Sequence, residues 1–334
     1  MTVSIIIAVK DYRENLRECV SKCLALDFKD YEIIILPDIS FSKEGIFSYP
    51  NIKIIPTGSV TPPYKRDLGN KQAKGEILAF LDDDAYPVKD WLAEAVKIFE
   101  SDENIACVCG PAITSPQDSL SQNASGLVYS SRLVSGNHRF RYIPRERKEV
   151  FDFPSCNLLI RKEVFDDIGG FDKPFWPGED TFLCLKVLET GKKMIYDPKV
   201  LVYHHRRTLF EKHLIQIKNY AYHRGYFAKK YPKTSFRPEY FLPSLFSAGV
   251  LGGGVLGVFF PAFKMLYLTV IGFYLGSVGI NTALLAFKEK HGIINKIRLF
   301  FLVSAGIIMT HLTYGVYFIR GLLADKMPEE AVCK

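Results

Sequence analysis

The sequence has no glycine before Gly45. That absence excludes a glycine-rich dinucleotide fingerprint and a P-loop at the first strand-to-helix turn. It has no Cys-x-x-Cys pair, and its seven cysteines are spread over 334 residues. Neither a disulfide-stapled miniprotein nor a zinc knuckle fits that pattern. Cys107 and Cys109 stand two apart and are read as sharing one face of a strand, with a metal pair as the lesser alternative. Charge is missing from three long stretches, 241–263, 265–287 and 299–319. As a helix each is about 30–35 Å long, enough to cross a hydrocarbon core of about 30 Å. Three transmembrane helices and a short tail are therefore expected over 241–334. Paired re-entrant or interfacial helices are the alternative.

The formal net charge of +7 is unevenly placed: residues 1–207 sum to −2, 208–240 to +5 and 241–334 to +4. In 208–240 the basic residues, among them Lys218, Arg224, Lys229 and Lys230, alternate with Tyr220, Tyr222, Tyr226 and Phe227. That composition fits an interfacial neck on an anionic leaflet. Single-stranded nucleic acid could be gripped the same way, and an ordinary solvated helix is the bland reading. The position just before the first apolar stretch favours membrane lipid, so no nucleic-acid partner is expected. Lys288, Lys290, Lys296 and Arg298 separate the second and third stretches, whereas only Lys264 separates the first two. The positive-inside rule then places the 288–298 loop, and with it the first 240 residues, in the cytoplasm. The seven apolar residues from Val3 to Val9, with no charge before them, are not expected to act as a signal peptide.

The first 207 residues read as alternating strands and helices. Val3 to Val9, Glu32 to Leu36, Ile52 to Ile55 and Glu76 to Leu81 are apolar strand segments. Fully apolar strands separated by helical stretches argue for an open α/β sheet covered on both faces. Ligands of such sheets bind beyond the carboxyl ends of the strands, where Asp38 and the run Asp82-Asp83-Asp84 fall. Three adjacent carboxylates repel one another unless a cation or hydrogen-bond donors satisfy them; a solvated acidic loop is the alternative. Glu179-Asp180 opens a helical stretch, where acids also serve as caps. His204-His205-Arg206-Arg207 ends a strand, and imidazole can ligate metal while guanidinium binds diphosphate. A surface basic patch is the competing reading.

Taken together these residues resemble the family 2 glycosyltransferases, inverting enzymes of the GT-A fold. The resemblance covers about residues 1–207. It rests on Glu32-Ile-Ile-Ile-Leu-Pro-Asp38-Ile-Ser40, on Arg66-Asp-Leu-Gly-Asn leading to Asp82-Asp83-Asp84, on Asn157-Leu-Leu-Ile-Arg161, on Gly169-Gly-Phe-Asp172 and on Glu179-Asp180. It implies an α/β GT-A domain with a Rossmann-like, mostly parallel sheet, followed by an all-α transmembrane region. By position, Asp38 resembles the residue that holds the base. Asp82 and Asp83 lie where the family contacts base and ribose, with Arg66 on the same nucleotide side. Asp84 lies where the family ligates Mg²⁺ or Mn²⁺, and Asp180 matches the catalytic base, with Glu179 beside it. His204 or His205 is expected to join the metal, Arg206 and Arg207 the diphosphate, and Trp176 the acceptor.

Two positions depart from the family pattern: Pro37 stands where a second acid is usual, and Asp67 where Asn is usual. The Gln-x-x-Arg-Trp motif of processive synthases is absent. The resemblance therefore implies non-processive transfer of one sugar from a nucleotide-sugar donor, and the membrane attachment with its basic aromatic neck adds the expectation of a polyprenyl-linked acceptor on the cytoplasmic face. A polyprenyl-phosphate monosaccharide synthase and a catalytically silent nucleotide-sugar-binding protein are the alternatives.

Overall fold

A computed structural model describes residues 1–171 and 175–327. Asp172 of the Gly-Gly-Phe-Asp motif lies outside the described residues, as does the tail from 328 onward. The chain forms two compact units, one of residues 1–113 and 143–205, the other of residues 114–142 and 206–327. Residues 114–142, inside the 1–207 span of the sequence reading, thus pack with the helical unit.

The first unit is built on an eight-stranded sheet. Its strands are β1 (Val3–Ala8), β2 (Tyr31–Leu36), β3 (Ile52–Ile54), β4 (Ile77–Asp82), β6 (Ile105–Cys109), β8 (Lys148–Glu149), β9 (Asn157–Arg161) and β10 (Lys193–Tyr196). Their order is β3-β2-β1-β4-β9-β6-β10-β8. The first four are parallel, and β9 runs antiparallel between β4 and β6. A small sheet joins β5 (Ala85–Pro87), β11 (Val202–His204) and β7 (Ala112–Thr114), with β11 in the middle. Helices α1 (Glu14–Leu24), α2 (Pro62–Gln72) and α3 (Trp91–Ser101) follow β1, β3 and β5. Burial of Ile5, Ile7, Ile33, Ile35, Ala79 and Leu81 against Leu16, Val20 and Phe99 makes the core, consistent with strands that show no polar face.

Register fixes where the acids emerge. Ala8 pairs with both Leu36 and Asp82, so Asp38 and Asp82 to Asp84 leave the same carboxyl edge. Asn157, first residue of β9, is fully buried and ties that edge together. Its Oδ1 accepts from Trp91 Nε1 at 2.9 Å, and its Nδ2 donates to the carbonyls of Gly110 and Val200 at 2.8 Å each. Only glycine fits at 110, since a Cβ there would stand 1.7 Å from Val200 O. Asp67 Oδ1 accepts from Phe171 N at 3.0 Å, so this departure from the family pattern serves to anchor the glycine turn.

The second unit is helical. It contains α4 (Leu120–Ser130) and α5 (Arg132–Ser135); α6 (Lys162–Asp167) and α7 (Glu179–Glu189) belong to the first unit. It continues with α8 (Glu211–Lys230), α9 (Pro232–Ser235), α10 (Pro238–Phe259), α11 (Pro261–Ala286) and α12 (Ile293–Leu323). The last three are long and apolar enough to cross a membrane. The break between α10 and α11 falls at Phe260, where φ is −127° and ψ 103°, rather than at Lys264. Pro261 supplies no backbone donor and favours the first helical position, which brings Lys264 inside α11. The helix expected over 299–319 begins earlier, at Ile293.

Candidate active site

Three segments converge at the carboxyl edge of β4. The antiparallel pairing of β11 with β5 sets His204 opposite Ala85, next to the acidic run. His204 Nε2 lies 3.0 Å from Asp84 Oδ1. Asp82, Asp84 and His204 each offer a ligand atom within 4.8 Å of the others. Two carboxylates and an imidazole form a donor set suited to Mg²⁺ or Mn²⁺. Between them, Asp83 is pushed up to about 7 by burial and by the neighbouring charges of Asp84 and Asp82, as expected where negative charge is crowded. His205 turns elsewhere, its Nε2 lying 2.9 Å from Glu18 Oε2. Of the two imidazoles left open by the sequence, His204 is the one brought to the acidic group.

Arg66, on α2, is the second anchor. It is 5% exposed, donates from Nη2 to Asp82 Oδ1 at 2.8 Å and from Nη1 to Glu179 Oε1 at 3.2 Å. Glu179 is pushed up by burial and by Asp180, against the pull of Arg66. Asp180, on the first turn of α7, is also raised by burial, opposed by Arg66 and by hydrogen bonding with Ser155. Its Oδ1 is buried and has no hydrogen-bond partner among the described residues. A carboxyl group raised in this way and holding an open acceptor atom is suited to take a proton.

Asp38 is held by Lys65, whose ammonium also donates to Val9 O. Trp176 is half-buried just ahead of α7. Arg206 belongs to the helical unit: it is buried, donates from its backbone N–H to Asp118 Oδ2 at 2.9 Å, and lies over the Tyr129 and Tyr142 rings. Arg207 is exposed. Sequence reasoning missed Lys65, Glu18 and Ser155. Lys65 left a trace, since two adjacent cations on a short helix must either be solvated or find acids, but its partner lies 27 residues away.

Residues 4–169 match the model of the family described as Glycosyl transferase family 2. A pre-mycofactocin glycosyltransferase of Mycobacterium tuberculosis is 26% identical over 260 residues, 76% of this chain and 52% of that protein. The chain thus spans about half the length of that relative. A Methanococcus voltae protein, dolichyl N-acetyl-alpha-D-glucosaminyl phosphate 3-beta-D-2,3-diacetamido-2,3-dideoxy-beta-D-glucuronosyltransferase, is 22% identical over 68% of this chain and 74% of its own. The mannosyltransferase PcManGT of Pyrobaculum calidifontis, solved with GDP-Man and Mn²⁺, superposes with a TM-score of 0.56 at 16% identity, covering 97% of this chain and 88% of that one. The sheet order, the acidic edge and the match over residues 4–169 together make this chain a member of glycosyl transferase family 2, with the GT-A fold.

Proposed function

We propose that the chain is a membrane-attached, inverting, non-processive glycosyltransferase that moves one sugar from a nucleoside-diphosphate donor to a polyprenyl-linked acceptor. The observation that carries this is the pair at the start of α7: Glu179 is held by Arg66, while Asp180 keeps a buried Oδ1 without a hydrogen-bond partner among the described residues. Asp180 takes the proton of an acceptor hydroxyl as its oxygen attacks the anomeric carbon opposite the leaving diphosphate. Glu179 and Arg66 hold α7 against the acidic edge. A divalent cation, Mg²⁺ or Mn²⁺, would be held by Asp84 and His204 with Asp82, and would neutralise charge on the leaving diphosphate. Asp38 and Asp83 are assigned to base and ribose, Arg206 and Arg207 to diphosphate, and Trp176 to the acceptor.

The acceptor class draws on two supports. The Methanococcus voltae relative is named for a dolichyl-linked substrate, and the helical unit carries three helices of membrane-spanning length and apolarity. Attachment confines enzyme and lipid-linked acceptor to one surface. A lipid phosphate is already ionised and needs no base, so a poised Asp180 favours a hydroxyl on a lipid-linked glycan. The basic residues around 288–298 support attachment at the cytoplasmic face.

The test is Asp180→Asn. Transfer of radiolabelled sugar to lipid extract should fall at least a hundredfold, while Mn²⁺-dependent thermal stabilisation by the donor nucleotide persists. Retained transfer in that variant would remove the assignment.

A further inference from the structure

Three crossings are an odd number, so they would put the chain before α10 and the chain after α12 on opposite faces of a membrane. The structure puts them side by side. Helix α8, which precedes α10, runs parallel to α12 along its second half. His213 Nε2 lies 3.0 Å from Thr310 Oγ1. Twelve residues on, a Cβ at Gly225 would stand 2.1 Å from Phe318 O, and one at Gly321 would stand 1.9 Å from Tyr222 O. Beyond the helix end, Lys229 Nζ donates to Ala324 O and lies 3.9 Å from Asp325. Lys212, Lys218, Lys229 and Lys230 are all exposed on α8, with the Lys218 ammonium 5.2 Å from the Tyr317 ring centre. Were residues 310–319 inside hydrocarbon, the ammonium groups of Lys212 and Lys218 would be there too, which lipid does not tolerate. The other half of α12 is covered by α4, with Leu299, Val303 and Ile307 packed on Ala124, Leu127 and Val128.

The register of α10 and α11 leads to the same conclusion. Helix α10 runs antiparallel to α12, with Phe241 on Phe318, Ser244 on Gly315 and Ser247 on His311. Helix α11 also runs antiparallel to α12, Tyr274 meeting His311 and Ala286 lying in the cluster of Leu299. Yet α10 and α11 are antiparallel to each other, with the Phe246 and Tyr274 ring centres 4.2 Å apart and Gly257 against Lys264. Three straight helices satisfy all three relations only if α10 and α11 cross α12 steeply at His311 and leave it together. The free part of that hairpin, 248–259 and 261–273, is about 18–20 Å long. It exposes Leu251, Val255, Val258, Phe259, Phe260, Met265, Leu266, Val270 and Phe273. Along α12, Ile294, Phe301, Met309, Val316 and Leu323 recur every seven or eight residues, all exposed, on the face opposite Leu299, Val303, Thr310 and Gly321.

We propose that the α10–α11 hairpin inserts into a single phospholipid leaflet while α12 lies in the membrane plane, so that the chain attaches from one face and does not cross. A hairpin of about 20 Å matches half of a bilayer about 40–45 Å thick and falls short of a 30 Å hydrocarbon core. An anionic leaflet is the partner, since the flanking helices carry the exposed lysines of α8 and Arg298 and Arg320 of α12.

This inference rests on the proposed function only for membrane attachment, and the test separates the two. The full chain carrying Cys333→Ser, with Phe260→Cys, Lys290→Cys or Asp325→Cys added singly, is reconstituted in sealed vesicles of phosphatidylethanolamine and phosphatidylglycerol. Flotation is scored first, and a chain left in the soluble fraction overturns membrane attachment itself. Among floating variants, a membrane-impermeant maleimide should label Lys290→Cys and Asp325→Cys from the same face, and Phe260→Cys only after detergent. Labelling of Asp325→Cys from the face opposite Lys290→Cys, or of Phe260→Cys from that opposite face, overturns the hairpin while leaving attachment intact. A second measurement, quenching of Phe259→Trp fluorescence by lipids brominated along their chains, should be stronger than for unbrominated lipid by severalfold. No quenching in floating protein overturns insertion.

Discussion

Arg66 Nη1 lies 3.2 Å from Glu179 Oε1, and both side chains are less than a tenth exposed. One guanidinium thereby joins the strand-end carboxylate Asp82 to the start of α7, 113 residues beyond Arg66 itself. The glutamate of the Glu-Asp pair is consumed by structure, and the aspartate is left open.

Arg66→Ala should therefore do more than remove a nucleotide contact. Breaking a buried pair from one side strands its partners, at a cost of about 3–5 kcal/mol, here shared by Asp82 and Glu179. The thermal midpoint of the catalytic unit should drop by several degrees, and transfer should fall at least a hundredfold. Arg66→Lys should recover part of the stability but less of the activity, because an ammonium cannot span both carboxylates in a planar fork. Scanning calorimetry with initial rates checks both; an unchanged midpoint would show that the pair contributes nothing to the fold.

The two adjacent histidines should separate cleanly. His204→Ala removes a group 3.0 Å from Asp84 and should weaken Mn²⁺ binding in the presence of nucleoside diphosphate by about tenfold or more. His205→Ala removes the contacts with Glu18 and with the Tyr86 ring but none of the contacts that His204 makes with the side chains of the acidic group, and should change that affinity by less than threefold. Titration calorimetry on the two variants decides the matter, and equal losses would refute the assignment.

Asn157 makes three hydrogen bonds in a fully buried setting, to Trp91, Gly110 and Val200. Asn157→Ala leaves two carbonyls and an indole N–H without partners, each worth about 1–3 kcal/mol if unsatisfied. Local relaxation will recover part of that, so a loss of about 3 kcal/mol is expected in urea unfolding. The variant should keep its Mn²⁺ affinity per folded molecule, since Asn157 touches none of Asp82, Asp84 or His204.

How much of this was legible in the sequence follows from the range of each interaction. Asp38 and Asp82 to Asp84 could be placed on one edge because fully apolar parallel strands announce both their burial and their direction. The choice of His204 over His205 was not legible, since it depends on the pairing of β11 with β5 across 119 residues of chain. Asn157 read as part of a family motif, and only the structure shows it as a tie between β9, α3 and the Gly110 turn. The three charge-free stretches correctly marked long helices. Charge-free length cannot show what a helix packs against, and beside α10 and α11 the neighbours of α12 come from residues 114–142 and 208–230. Lys264 marked the second break less well than Pro261, because a missing backbone donor sets a helix start more strongly than a side-chain charge.

The helical unit should also carry a pH signature. His213 is fully buried between Ser125 and Thr310, and burial, with the nearby charge of Arg206, lowers it from 6.5 to about 4. The unfolded chain then binds a proton between pH 6.5 and 4 that the folded unit rejects. Its contribution to stability is whole above pH 6.5 and is lost as pH falls, by about 1.4 kcal/mol per unit and about 3 kcal/mol in total. His213→Gln keeps an acceptor and a donor for the same two hydroxyls but cannot titrate. The difference in unfolding free energy between the parent and this variant should narrow as pH drops from 7 to 5, a window above the range where ordinary carboxylates titrate. A difference that stays constant across that window would mean that His213 binds its proton equally well in the folded and unfolded chain, so that burial and Arg206 do not lower it.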